Sequence, residues 1–99
     1  MSDKRELLKQ QYGQLYDEIS SILFRHDMIK INYEDNTDEY DPEVDAILPR
    51  LNEAVNKEGV ANIIYEEFLG YFGEDVIKPK GHTGYMAMAD EIWTVWSLK

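Results

Sequence analysis

The stretch EDNTDEYDPEVD, residues 34–45, holds seven carboxylates and no Lys or Arg. The first chemistry such a run suggests is calcium binding. An EF-hand loop needs oxygen donors at positions 1, 3 and 5, a Gly at 6 for the sharp turn, and a Glu at 12. Counted from Glu34, position 6 is Glu39 and position 12 is Asp45; counted from Asp35, they are Tyr40 and Ala46. Both registers fail at the glycine. Transition-metal chemistry is no better served. His26 and His82 lie 56 residues apart, no HExxH occurs, and there is no cysteine. His26 reads as the polar close of a helix, where a cationic ring suits the negative dipole end, and His82 as a solvent-exposed loop residue. Two of the twenty acidic residues could in principle form a hydrolase pair, but no nucleophile–base–orienter pattern is visible. The expectation is a protein with no catalytic residues, no metal and no cofactor.

Charge points instead to binding. The formal net charge is −10. Residues 1–33 carry five acids and five bases, and residues 46–99 carry eight acids and five bases, so most of the imbalance sits in residues 34–45. Such a field repels phosphate and anionic lipid, which argues against direct nucleic-acid or membrane binding. It accelerates encounter with a basic protein. Within the run, Asp41, Glu43 and Asp45 are explained by the start of a helix. Glu34, Asp35, Asp38 and Glu39 have no such local duty, and like charges held together cost stability. These four are the candidate partner-binding residues. Tyr33 and Tyr40 beside them are candidate anchors, since tyrosine offers a large contact area and few rotors; a hydrophobic residue before an N-cap can equally staple its helix to the core.

The elements that must hold these residues are mostly helical. Leu8, Tyr12, Leu15, Tyr16, Ile19, Ile22 and Leu23 recur at three- and four-residue steps, which predicts one amphipathic helix from about Lys4 to Arg25 with Gly13 inside it. Asp41-Pro42 is a strong helix start, and Val44, Ile47, Leu48, Leu51 and Val55 form a buried stripe. Pro49 interrupts that stripe and predicts a kink or restart near Leu48. A turn at 56–59 leads to a helix over about Val60 to Phe72, with Ile63, Ile64, Phe68, Tyr71 and Phe72 facing inward and Gly73 as its stop. KPKGHTG, 78–84, is a loop. Tyr85, Met88, Ala89, Ile92 and Trp96 fit a helix, whereas 92–98 is also rich in β-branched and aromatic residues and can be read as a strand pairing with the alternating IKINY at 29–33. The fold class is therefore mainly α: a compact single-domain bundle of three to four helices over residues 1–99, with a short two-stranded β element (29–33 and 92–98) as an open alternative.

No apolar run approaches the roughly 18 residues that cross a bilayer, the N-terminus lacks the apolar stretch of a secretory signal, and the absence of cysteine fits a reducing compartment. A cytoplasmic location is expected.

The order LYDEISSIL (15–23), RHD (25–27), DEYDPEVDAILPRL (38–51) and IIYEEFLGYFG (63–73) resembles a group of small, acidic, mostly helical bacterial proteins of unassigned function. The likeness spans roughly residues 15–75; IWTVWSLK, 92–99, lies outside it. In size, charge and construction the chain is also similar to immunity proteins of bacterial toxin–immunity systems, including those of contact-dependent growth inhibition. That likeness implies a cognate toxin domain as partner, in particular a nuclease neutralised by an acidic surface. Two other expectations compete with it. One is a structural or adaptor module that self-associates through its aromatic C-terminus, with Trp93 and Trp96 exposed; the other is a small hydrolase using paired carboxylates.

Overall fold

The computed structural model describes residues 3–26 and 41–98. Five α-helices follow one another: α1 (Asp3–Tyr12), α2 (Gln14–His26), α3 (Asp41–Ile47), α4 (Lys57–Phe72) and α5 (Thr83–Ser97), with a 3-10 segment, Leu48–Glu53, continuing α3. Helices α4 and α5 form the largest contact, α2 lies along α5, α3 packs on α4, and α1 bridges α2 and α3.

The expected single N-terminal helix is in fact two. Gly13 adopts φ +58°, donates its N–H to the Lys9 carbonyl at 2.8 Å, and accepts from the Tyr16 amide at 3.1 Å. That left-handed joint suits glycine, which has no Cβ penalty there. Its reason lies in the side chains: α1 and α2 each carry part of the apolar stripe, and a bend lets Leu8 join the core below α2. Leu15, Tyr16, Ile19, Ile22 and Leu23 are all buried, as their spacing predicts.

Pro49 acts as expected. The α-helix stops at Ile47 and the chain tightens into the 3-10 segment with the proline in its first turn, where a missing N–H costs nothing. Val44, Ile47, Leu48 and Leu51 are fully buried, while Val55 falls in the following turn and is 84% exposed. Helix α4 begins three residues earlier than the apolar pattern suggested. Asn56 caps it, its side-chain oxygen accepting from the Gly59 amide at 2.9 Å. Gly73 ends it at φ +86°.

The strand alternative for 92–98 is overturned. Residues 83–97 form one continuous helix, α5, and no strand occurs among the described residues. Tyr85, Met88, Ala89 and Ile92 are buried at steps of three, one and three, and Trp96 extends the same face. Packing of that face on α2 and α4 outweighs the β propensity of Ile92, Trp93, Val95 and Trp96, which a weak intrinsic preference cannot resist. The proposed partner strand, 29–33, lies outside the described residues. The core itself is one cluster centred on Tyr16, Ile19, Phe68, Met88 and Ile92, each such burial contributing about 1.5–3 kcal/mol.

Candidate functional site

All six residues singled out as partner-binding, Tyr33, Glu34, Asp35, Asp38, Glu39 and Tyr40, lie outside the described residues. Their flanks are described. The chain leaves α2 at His26 and re-enters at Asp41, so the structure shows what the two ends of the acidic stretch are attached to.

At the α3 end, carboxylates expected to serve only the helix start are drawn inward. Asp45 Oδ2 accepts from Arg5 Nε at 2.9 Å, and its Oδ1 accepts from the buried Tyr16 hydroxyl at 2.6 Å, so this one acid ties α1 and α2 to α3. Glu43, immediately before the apolar stripe that begins at Val44, is only 3% exposed. Tyr71 on α4 donates to the Pro42 carbonyl at 3.1 Å. Burial raises the Tyr71 phenol above its ordinary pKa, and the charges of Glu43, Glu67 and Asp45 push it the same way. Beside it, Arg50 donates to Glu67 at 2.9 Å and to Glu66 at 2.7 Å, with Glu53 at 3.4 Å. The hydrogen bonds to Glu66 and Glu67 hold this guanidinium more firmly protonated than usual. Apart from Arg50–Glu53, three residues apart, no spacing rule announces these pairs, because their members are 16 to 40 residues apart.

At the α2 end, Arg25 donates to Glu91 Oε1 and His26 Nε2 faces Glu91 Oε2, each at 2.7 Å. These two bonds, Arg25 first, hold the Glu91 carboxyl below its ordinary pKa. His26 does close its helix as expected, but it does so against a carboxylate of α5. Next to this clamp a cleft of about 380 Å³ opens between the two helices, lined by Glu18, Ser21, Ile22, Arg25, Asp90, Glu91, Thr94 and Val95. A second hollow, lined by Tyr12, Gln14, Leu15, Glu18, Val95 and Leu98, shares Glu18 and Val95 with it, so the two adjoin. Leu98 at its far end is 80% exposed.

A smaller cleft of about 220 Å³ sits where α5 begins, with Tyr65, Lys80, His82 and Met86 among its walls. His82 is exposed, as expected of a loop residue, and its Nδ1 caps α5 by accepting from the Gly84 amide at 3.0 Å. Among the described residues neither imidazole is paired with a hydroxyl, and no group of three or more His, Asp or Glu is arranged to hold a metal ion. No helix among the described residues is long and apolar enough to cross a membrane. What the described surface offers is charge and shape. All three arginines and Lys57 are committed to carboxylates, while Glu6, Asp17, Glu18, Glu58, Glu74 and Asp75 are exposed.

Trp93 and Trp96, whose exposure would favour self-association, are partly buried against the core, and Trp96 lies 6.2 Å from the Tyr12 ring. No protein-family model, curated protein or solved structure matches this chain.

Proposed function

We propose that this protein is an immunity-type inhibitor that binds a basic toxin domain, of the nuclease class, and occludes it through an acidic surface without chemistry of its own. The observation that carries the reading is the separation of charge. The described arginines and Lys57 are consumed by internal ion pairs, Glu6, Asp17, Glu18, Glu58, Glu74 and Asp75 are exposed and outside those pairs, and five more acids are concentrated in residues 34–41. A nuclease presents a basic groove to its phosphodiester substrate. A carboxylate-rich inhibitor is steered to that groove far faster than a neutral one, and aromatic anchors then slow its release. Glu34, Asp35, Asp38 and Glu39 are the proposed steering residues, with Tyr33 and Tyr40 as anchors. The partner is a protein, with no direct contact to nucleic acid or membrane, and the site of action is the cytoplasm.

The test is calorimetric titration of a cognate toxin domain with the wild type and with the fourfold variant Glu34→Gln, Asp35→Asn, Asp38→Asn, Glu39→Gln, at low and high salt. A weakening of at least a hundredfold and a smaller salt dependence are expected. Equal affinity for both proteins, insensitive to salt, removes the acidic run from the mechanism. The self-associating adaptor is the second reading. The 80% exposure of Leu98 favours it, whereas the seating of Trp93 and Trp96 against the core speaks the other way. Sedimentation at high concentration separates the two.

A further inference from the structure

We infer that the groove between α2 and α5 is a second interaction surface, and that its occupant is a lysine- or arginine-bearing amphipathic helix of a partner protein. This goes beyond the occlusion reading and does not depend on residues 34–40.

The shape argument comes first. Helices α2 and α5 run antiparallel, since Arg25 meets Glu91 at one end while Leu15 and Val95 line the other. Their outer faces carry two hollows that adjoin at Glu18 and Val95 and together reach from the Arg25–Glu91 clamp to Leu98. From Gln14 to Arg25, at 1.5 Å per residue, the pair spans about 17 Å, or about three helical turns. Ser21 and Thr94 are small residues in their walls, which allows another helix to approach closely. The floor is apolar: Ile22, Val95, Leu15 and the Tyr12 ring. Leu98 projects from the end of this strip at 80% exposure, a large apolar side chain placed where a ligand's own apolar stripe would continue it.

The charge argument then selects the occupant. Glu18, Asp90 and Glu91 line the trough against one cation, Arg25. That cation is already bonded to Glu91 at 2.7 Å. Asp90 is bridged to Lys57 on α4 at 2.8 Å, which leaves Glu18, exposed at mid-groove and lining both hollows, as the dominant uncompensated charge. An acidic or neutral helix would meet like charge or none. A second copy of this chain, at −10, would be repelled. A helix with leucines on one side and lysines flanking them satisfies both the floor and the rim.

The full chain is titrated with a synthetic amphipathic peptide of about 14 residues, built from Leu, Ala and Lys, and amide chemical shifts are followed by NMR. A scrambled peptide of the same composition is the control. Binding that moves amides of Glu18, Ser21, Asp90, Thr94 and Val95, with the scrambled peptide at least tenfold weaker, is expected. Glu18→Lys should weaken binding about tenfold. Ser21→Tyr, at an exposed position, should fill the trough and abolish it. Glu74→Lys, an exposed acid outside the groove, should change it less than twofold, and circular dichroism should show all three variants folded. Any of these results overturns the proposal: shifts confined elsewhere, including to residues 27–40; equal binding of both peptides; or a wild-type dimer in sedimentation that Ser21→Tyr dissolves. Loss of peptide binding in the fourfold 34–39 variant, with the groove variants unaffected, overturns it while leaving the toxin reading intact.

Discussion

Two regions of the molecule use carboxylates in opposite ways. Around α3, Asp45 holds Arg5 and the buried Tyr16 hydroxyl, Glu43 is itself buried, and Glu53, Glu66 and Glu67 surround Arg50. Along α2 and α5, Glu18 stands in the open on the wall of a groove. Read as letters, the acids of the two regions look alike, yet those around α3 brace the fold while Glu18 faces outward. An acid's contribution to a binding surface is thus decided by what cation reaches it across the fold, and only those left over are available to a partner.

That contrast can be broken by mutation, beginning with the largest effect. Asp45→Ala removes an acceptor 2.6 Å from a hydroxyl whose residue is 1% exposed, together with the Arg5 pair. It should cost about 1–3 kcal/mol, which lowers the melting temperature by roughly 4–8 °C per kcal/mol in a domain this size. Arg50→Ala leaves three carboxylates close together at the edge of α4 and should cost about 1 kcal/mol. Its deficit in chemical denaturation should shrink as salt screens the repulsion. Glu91 gives a smaller, pH-specific effect. Its folded carboxyl is held below the ordinary value of 4.5 by Arg25 and His26, so it contributes stability at neutral pH that fades as pH falls from about 4.5 through the lower folded value. Glu91→Gln should flatten that part of the acid limb. Glu18→Lys should be the smallest, within about 0.5 kcal/mol of wild type. If Glu18→Lys destabilised the fold as much as Asp45→Ala, the division into bracing and open acids would be wrong.

Much of the architecture was readable from apolar spacing. The stripe Leu15, Tyr16, Ile19, Ile22, Leu23 and the set Ile63, Ile64, Phe68 are core as their periodicity says, because a helix presents one face in three or four residues and nothing else in the local sequence competes. Pro49 announced its own break. Gly13 was underread: a glycine inside an amphipathic pattern is compatible with a continuous helix, and only the need of α1 to reach α3 decides for a joint. The C-terminal aromatics misled in the other direction, since β propensity is a local average and the seat of Ile92 and Trp96 is settled by α2 and α4. The pairs Arg5–Asp45, Arg25–Glu91 and Arg50–Glu67 were invisible, because a salt bridge between distant helices leaves no periodic trace. Glu43 illustrates the limit best. As a first-turn acid it reads as a dipole partner, and its burial follows only from where α4 sits.

The joint at Gly13 is where sub-global opening is expected to begin. Beyond it, α1 is held by Leu8, by Tyr12 against Trp96, by Lys9 over the Tyr16 ring, and by the Arg5–Asp45 bridge. The buried contacts of α2, by contrast, run through the centre of the core. A ten-residue helix on a glycine pivot is the natural first unit of sub-global opening. Its amides should exchange with solvent deuterium while those of Ile19 to Leu23 remain protected. Each such excursion would withdraw Arg5 and leave the Asp45 carboxylate held by the Tyr16 hydroxyl of α2, so that the head of α3 would carry one more uncompensated charge while α1 is open.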